Sequence, residues 1–325
     1  MKAIACTKYG PPEVLQPKEV EKPVPKDDEV LVRVYATAVT SGDARMRGLN
    51  VPTGFGLPMR LAMGWGKPRN PVMGIDFAGE IESVGSKVTQ FKKGDRVLGS
   101  GGSGSYAEYL TIAEDKTVVL MPSNLTYEEA AAVPFGALSS LIYLRDLGKN
   151  QSGQRILVYG ASGCLGTYAV QLGKYYETEV TGVCSTSNVE WVKALGADWV
   201  IDYTKEDFTQ QDGLYDIIFD TVGKITFSGC KSALKPKGRL LMAAANVPQF
   251  LQVLWTSVAS NKKAVAGIAV FTKKDLKFVR ELIGEEKLKP IIDRHYPLER
   301  MAEAHRYVDK GHKKGNVVIT VESKN

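Results

Sequence analysis

Residues Arg155 to Gly166 read RILVYGASGCLG, and this stretch constrains the fold more than any other. Ile156, Leu157, Val158 and Tyr159 form an apolar, β-favouring run of the kind found in a parallel strand buried on both faces. Gly160, Gly163 and Gly166 follow at three-residue spacing, and Thr167 to Tyr175 then carries Tyr168, Val170 and Leu172 for a helix. Strand, glycine turn and helix make the phosphate-cradling corner of a dinucleotide-binding βαβ unit. Glycine leaves room for a pyrophosphate beside the backbone, and the helix N-terminus offers unpaired N–H groups and the positive end of its dipole. The candidate cradle is therefore Gly160, Ala161, Ser162, Gly163, Cys164, Leu165 and Gly166. Glycine triplets also serve turns that bind nothing, so the flanking strand and helix carry this assignment.

Around that corner the chain alternates strand and helix. Strands are expected at 156–159, 179–184, 199–201, 215–219 and 238–243, and helices at about 165–175, 188–195 and 225–234. Such alternation implies an α/β fold with a doubly wound parallel sheet. Lys263 to Phe271 (KAVAGIAVF) reads as a further strand at the sheet's edge; an apolar edge needs cover, so a homodimer pairing through Ala264–Phe271 is expected.

Before about Pro122 the pattern is β-rich. Glu29 to Tyr35 and Gly79 to Val84 read as strands, Lys93 to Gly99 as a turn feeding a short strand, and glycine pairs mark the turns. The stretch Leu49 to Asn70 shows no period. Its Phe55, Leu57, Met59, Leu61, Met63 and Trp65 argue for a packed loop, read as a wall of a substrate pocket. Tyr127 to Ala132 is helical, and a second helix follows Pro134 through Leu147. After the edge strand come helices at Thr272 to Ile283 and Leu298 to Val308 and a closing strand at Asn316 to Val321. The expected division is residues 1–122 in a β-rich domain, 123–265 in the nucleotide-binding domain, and 266–325 returning to the first.

Composition excludes several classes. The 325 residues are 44% apolar and 24% charged, with no apolar run of membrane-span length. The net charge of +6 comes from dispersed lysines, which reads as a solvated surface rather than a nucleic-acid patch. The N-terminus alternates like a first strand and lacks an apolar signal core. With four cysteines at unpaired spacing, a cytoplasmic, reducing environment is expected. The three histidines lie near the C-terminus, away from every cysteine, so no metal site is expected.

The cofactor's identity is sought at the end of the second strand, where an NAD site places an acid on the ribose 2′-OH. Residues 180–188 (VTGVCSTSN) hold none. Ser185, Thr186 and Ser187 offer hydroxyls, Tyr203 a second donor and Lys205 a nearby charge, so NADPH is preferred over NADH.

In combination, GASGCLG, TSGDARMRG, PVMGIDFAGEIESVG, FKKGDRVLG, GSYAEYL, AAVPFGALSSL, ALGADWVIDY, DIIFDTVG and the closing PLERMAEAHRYVDKGHKKGNVVITV span nearly the whole chain. They resemble the zinc-free, quinone oxidoreductase-like (zeta-crystallin-like) branch of the medium-chain dehydrogenase/reductase superfamily. Alcohol-dehydrogenase relatives place zinc-binding Cys and Gly-His-Glu where this chain has Thr40 and Gly74-Ile75-Asp76. The resemblance implies a GroES-like catalytic domain split around a Rossmann domain, with the active site in the cleft between them. It also implies hydride transfer from NADPH to a quinone or an α,β-unsaturated carbonyl. The alternatives are a zinc-free aldehyde or enoyl-thioester reductase, or a low-turnover NADPH-binding protein.

By the same resemblance, Thr40 stands where an Asn is usual and would bond the substrate carbonyl or the nicotinamide ribose. Asp43 reads as structural, and Ser139 lies near the nicotinamide. Val222 with its neighbours, and Met242, Ala243 and Ala244, would line the ribose and carboxamide; Asn316 replaces a cofactor-contacting Lys. Tyr106 is a candidate proton donor, with packing beneath the active-site loop as its plainer role.

Overall fold

A computed structural model describes residues 1–50 and 56–321. The N-terminal part supplies strands β1 (Lys2–Cys6), β2 (Leu15–Glu19), β3 (Glu29–Val39), β4 (Asp76–Val84), β5 (Arg96–Ser100), β6 (Tyr109–Ala113) and β7 (Val118–Leu120). Helices α1 (Ser41–Gly48), α2 (Gly56–Met63), α3 (Tyr127–Ala131) and α4 (Pro134–Leu141) accompany them. The alternation that betrays a nucleotide-binding sheet follows, as β8 (Arg155–Tyr159), α5 (Cys164–Tyr175), β9 (Glu179–Cys184), α6 (Val189–Ala194), β10 (Trp199–Asp202), β11 (Tyr215–Asp220), α7 (Phe227–Cys230), β12 (Leu234–Met242), α8 (Val247–Ala259) and β13 (Lys263–Ala266). The chain closes with α9 (Lys273–Gly284), β14 (Ile292–Pro297), α10 (Met301–Asp309) and β15 (Asn316–Thr320).

Two compact units result. One comprises the described residues of Met1–Val51 and Phe55–Phe135 together with the chain from Phe271; the other is Gly136–Val270. The boundaries thus fall at 135/136 and 270/271 instead of 122/123 and 265/266. The first moved because α3 packs on β3, β4 and β5, its Ala130 and Ala131 fully buried; composition changes at Pro122, but packing does not.

In the first unit a seven-stranded sheet runs β14-β15-β3-β4-β5-β7, with β6 on β3. The C-terminal strand β15 lies antiparallel to β3, Val317 opposite Val39, which is how the end of the chain rejoins its beginning. Val30, Val32, Val34, Phe77, Ile81 and Val97 form one core cluster of this unit.

In the second unit six strands run in the order β10-β9-β8-β11-β12-β13, every neighbouring pair parallel. This is the 3-2-1-4-5-6 order of a Rossmann fold. Both faces are covered, so Ile156, Leu157 and Val158 are wholly buried, as their unbroken apolar run demands.

Several elements depart from expectation. Residues 49–70 are not all loop: Gly56–Met63 is helical, while Phe55 lies outside the described residues. The expected strand at Lys263–Phe271 stops at Ala266, and the helix expected at 225–234 is the single turn Phe227–Cys230. The helix after Pro134 loosens into a π-turn at Ile142–Leu147. Helix α8 was unforeseen, although its signal was present: Asn246 and Gln249 form a reciprocal capping box with Pro248 in the first turn.

Candidate functional site

The carboxyl ends of the parallel strands collect the candidate cofactor residues of the second unit: Gly160 after β8, Ser185 after β9, Tyr203 after β10, Val222 after β11, and Met242 to Ala244 at the end of β12. Strand order reverses between β8 and β11, the place where open α/β sheets take their ligands.

The glycine turn is built as a cradle. Gly160 adopts φ +81°, and a Cβ there would meet Val222 Cγ2 at 2.5 Å and Thr221 Oγ1 at 2.7 Å. Gly163 is the N-cap of α5 and has no side chain to bond the first turn, so the N–H groups beyond it stay available to a ligand. A Cβ on Gly166 would lie 2.1 Å from the Gly160 carbonyl oxygen; only glycine lets the helix start this close to the strand. Ala161 and Cys164 are buried beneath the turn, and Ser140 Oγ donates to the Leu165 carbonyl at 2.8 Å, tying α4 to the first turn of α5. These residues fit a bound pyrophosphate.

The neighbouring loop, Asp220 to Gly223, expected to line the ribose and carboxamide, is organised by the Asp220 carboxylate. It accepts from the Val222 and Gly223 N–H groups through Oδ1 and from Ile225 N–H through Oδ2, at 2.8–2.9 Å, so Val222 is held half-exposed. Ala243 N–H donates to the Asp220 carbonyl, and the Met242 carbonyl accepts from the Tyr143 hydroxyl at 3.0 Å. Ala244 lies against Gly223, and Ser139 is buried on α4.

At the end of β9 the structure corrects one expectation. Residues 180–188 contain no acid, but Asp202 at the end of β10 pairs in register with Cys184, and its Oδ2 accepts from Thr186 Oγ1 at 2.6 Å. Adjacency in the sheet brings a carboxylate where linear spacing showed none. Its charge is held firmly: the Thr186 bond, two bonds from Thr204 and Lys205 at 3.6 Å lower its pKa to about 2. Ser162 and Ser185 both accept from the Asn188 side-chain amide, at 3.3 and 3.1 Å. Ser187 lies in the single helical turn Thr186–Asn188, and Tyr203 is half-exposed.

In the first unit Thr40 caps α1. Its hydroxyl donates to Asp43 Oδ2 at 2.6 Å and accepts from Asp43 N–H at 3.1 Å, while Thr40 N–H donates to the same Oδ2 at 2.8 Å. The proton expected to meet a substrate carbonyl is therefore committed to Asp43, because the sequence Thr-Ser-Gly-Asp is a capping box. Asp43 is wholly buried, and desolvation pushes its pKa up to about 6 against the Thr40 bonds. Asp76 is equally buried and accepts from Phe135 N–H at 2.8 Å; burial drives its pKa to about 8.

Tyr106 has no exposed surface, and its hydroxyl lies 3.1 Å from His305 Nε2. A group shut from solvent and already paired packs beneath the loop; it does not present a proton to a ligand. His305, one of the three histidines from which no metal site is expected, joins Tyr106 to the buried Arg47, whose Nη1 lies 3.0 Å from Nδ1. Burial and the Arg47 charge hold the imidazole neutral, with its pKa down to about 3. Asn316 is buried in β15 and donates to the Ile291 carbonyl at 3.0 Å, so its amide holds a loop of its own unit.

The description "Alcohol dehydrogenase GroES-like domain" matches residues 26–123, and "Zinc-binding dehydrogenase" matches 195–319. The chain is 32% identical to the chloroplastic quinone-oxidoreductase homolog of Spinacia oleracea over 98% of both chains. The chain belongs to the quinone oxidoreductase-like branch of the medium-chain dehydrogenase/reductases. This is a family of pyridine-nucleotide oxidoreductases. The 2-methylene-furan-3-one reductase of Solanum lycopersicum is 34% identical over 98% of this chain and 79% of its own length. Among solved structures, the Coxiella burnetii quinone oxidoreductase matches with a TM-score of 0.86 at 27% identity over 99% of both chains. The Escherichia coli quinone oxidoreductase complexed with NADPH, 21% identical, shares the fold with a TM-score of 0.82 over 99% of this chain and all of its own.

At the zinc positions of the wider superfamily stand a threonine hydroxyl engaged with Asp43, the alkyl side chain of Ile75 and the buried Asp76 carboxylate, of which only the last is a zinc-donor type. Among the described residues no group of three or more His, Cys, Asp or Glu could hold a metal ion, and no helix is long and apolar enough to cross a membrane.

Proposed function

We propose that this protein is an NADPH-dependent, zinc-independent reductase of quinones or α,β-unsaturated carbonyls. The observation that carries the reading is the glycine cradle at the switch point of a 3-2-1-4-5-6 sheet, on a chain whose zinc-ligand places hold Thr40 and Gly74-Ile75-Asp76. NADPH would supply the hydride. Gly160 to Gly166 would hold its pyrophosphate, and Ser185, Thr186, Ser187 and Tyr203 the adenosine ribose phosphate, with Lys205 offsetting the charge of Asp202. Val222, Met242, Ala243, Ala244 and Ser139 would border the nicotinamide half.

Hydride arriving at an enone β-carbon leaves negative charge on the carbonyl oxygen, which backbone N–H groups can stabilise and solvent can protonate. No side-chain acid is needed. The acceptor class draws support from relatives named for quinone reduction, for a methylene-furanone, and for alkenal/one reduction in Arabidopsis thaliana at 32% identity. Helix α2 buries none of its side chains, and Leu57, Leu61 and Trp65 are 59%, 60% and 66% exposed. They offer an apolar, partly aromatic wall to a flat acceptor. Assaying NADPH consumption with quinones, enones and aldehydes, with and without a chelator, tests the reading. Preference for aldehydes, or loss of activity on chelation, would refute it.

We also propose a homodimer in a reducing compartment such as the cytoplasm. Edge strand β13 is accompanied by exposed Leu251, Leu254, Trp255 and Val258 on α8 and by Ile268 and Val270 beyond it, more apolar surface than a monomer usually leaves open. The four cysteines are buried and none is in a disulfide. Light scattering of Trp255→Glu against the parent protein tests the association: a dimer reduced to monomer supports it, and a parent protein that is already monomeric contradicts it.

A further inference from the structure

We propose that Tyr143 is a positioning residue for the nicotinamide half of the cofactor, its hydroxyl holding the carboxyl ends of β12 and β13 at a fixed spacing. The tie itself rests on the geometry of the second unit; its bearing on hydride transfer rests on the reading of Met242 to Ala244 as the nicotinamide border.

The side chain is delivered by a break in its own helix. Helix α4 runs into the π-turn Ile142–Leu147, where Gly148 N–H donates to the Tyr143 carbonyl, five residues back, at 2.7 Å. This wider turn holds one residue more than an α-turn, an insertion that is found frequently at functional sites. Gly148 lets the turn close on the sheet, because a Cβ there would come within 3.0 Å of Leu241 Cδ1 on β12. Leu147, from the same turn, lies against Gly267, and its carbonyl accepts from Arg239 Nη1 at 3.3 Å.

Tyr143 then spans three successive strand ends. Its ring stacks on Phe219 of β11, with centroids 5.1 Å apart and planes at 19°. Its hydroxyl donates toward the Met242 carbonyl at 3.0 Å and the Gly267 carbonyl at 2.6 Å. The pairing of β12 with β13 ends at Met242 opposite Ala266, so Gly267 is the first residue past the ladder, and the hydroxyl extends the tie beyond it. A hydroxyl has one proton, and here it offsets the repulsion of two carbonyl oxygens that converge on one spot. Tyr143 is 3% exposed, and burial pushes its pKa up to about 12, so that proton stays in place at every working pH.

Tyr143 touches no reacting atom in this scheme. It sets where Met242 to Ala244 and Gly267 stand, whereas affinity for the dinucleotide comes from the cradle at Gly160 to Gly166 and the loop at Ser185 to Ser187. Hydride transfer needs donor and acceptor atoms close and aligned, so a small shift of this border costs rate before it costs affinity.

Tyr143→Phe keeps the ring on Phe219 and removes only the hydroxyl. Hydrogen exchange of the nucleotide-free protein, read by mass spectrometry of its peptides, should quicken by about threefold or more at 242–246 and 266–270 and stay unchanged at 160–166. The variant should bind NADPH, and adenosine 2′,5′-bisphosphate, which lacks the nicotinamide, within about twofold of the parent, while kcat with a quinone or an enone falls about tenfold. Leu144→Val, a change of a wholly buried side chain in the same turn that removes no hydrogen bond, should lower the melting temperature and leave kcat within about twofold. Unchanged exchange at 266–270 in Tyr143→Phe, a kcat as high as the parent's, equal weakening of both nucleotides, or an equal loss of kcat in Leu144→Val would overturn the proposal. A parent protein that turns over no acceptor would refute the functional reading, and the exchange measurement would still decide the tie.

Discussion

Thr186 Oγ1 lies 2.6 Å from Asp202 Oδ2, so the loop expected to greet a 2′-phosphate carries a fixed negative charge at its side. Lys205, 3.6 Å from the same oxygen, offsets part of that charge. Replacing Asp202 with Asn removes the charge and frees the Thr186 hydroxyl. We predict that KM for NADPH falls by about three- to tenfold, as expected for removing a solvent-screened charge, with little change for NADH. Parallel initial-rate measurements with the two nucleotides check this; an equal change in both contradicts a 2′-phosphate at this loop.

Gly166→Ala should abolish nucleotide binding and cost stability. Its Cβ would sit 2.1 Å from the Gly160 carbonyl oxygen, which forces strand and helix apart by an overpacking cost of about 1–3 kcal/mol. Nucleotide titration followed by tryptophan fluorescence, together with thermal melting, reports both effects. Undiminished NADPH affinity would show that the turn does not cradle the pyrophosphate.

Arg47→Leu tests the buried anchor of the first unit. It removes a donor to Gly10, His305 and Asp309 at once, leaving the part-exposed Asp309 carboxylate to water but the buried His305 nitrogen without its donor. A loss of about 1–3 kcal/mol is expected for such an unpaired buried group, read as a lowered denaturation midpoint. A variant as stable as the parent would show that the network contributes nothing net.

Asp76 sets a pH dependence of stability. Its folded pKa is raised from 3.8 to about 8, so the native state holds a proton that the unfolded chain releases. The stability this proton contributes is complete below the unfolded value and is lost as pH rises through the folded one, giving a falling slope between them. Asn in its place cannot ionise and can still accept from Phe135 N–H. The melting temperature of Asp76→Asn minus that of the parent should therefore grow by a few degrees between about pH 5 and 8. A constant difference would mean that Asp76 titrates normally.

Trp65→Ala, with its exposed indole beyond α2, should raise KM for an aromatic acceptor about tenfold, roughly the loss of one stacking contact with its apolar burial. KM for NADPH should stay put. A change in the nucleotide constant instead would place this segment elsewhere.

The parallel sheet was legible because its strands are continuous apolar runs between glycine turns, and the closing return of the chain because β15 carries a strand pattern. Register is not written that way. Asp202 is eighteen residues beyond Cys184 in sequence but beside it in the sheet, so its carboxylate was missed. Thr40 shows a second limit: Thr-Ser-Gly-Asp was read by its place in a family, whereas the capping box that it spells decides where its proton goes. His305 was read without its environment, which comes from α1 and a loop far away in sequence. Helix α8 could have been found from Asn246 and Gln249, but its exposed apolar side chains hid the usual two-faced pattern.

The most direct measurement is steady-state oxidation of NADPH and NADH by the purified protein with a quinone and with an enone, in the presence of a chelator. The account predicts turnover of both acceptors, with kcat/KM higher for NADPH than for NADH and unaffected by chelation. Faster turnover with NADH, or no turnover of either acceptor despite NADPH binding, would contradict it.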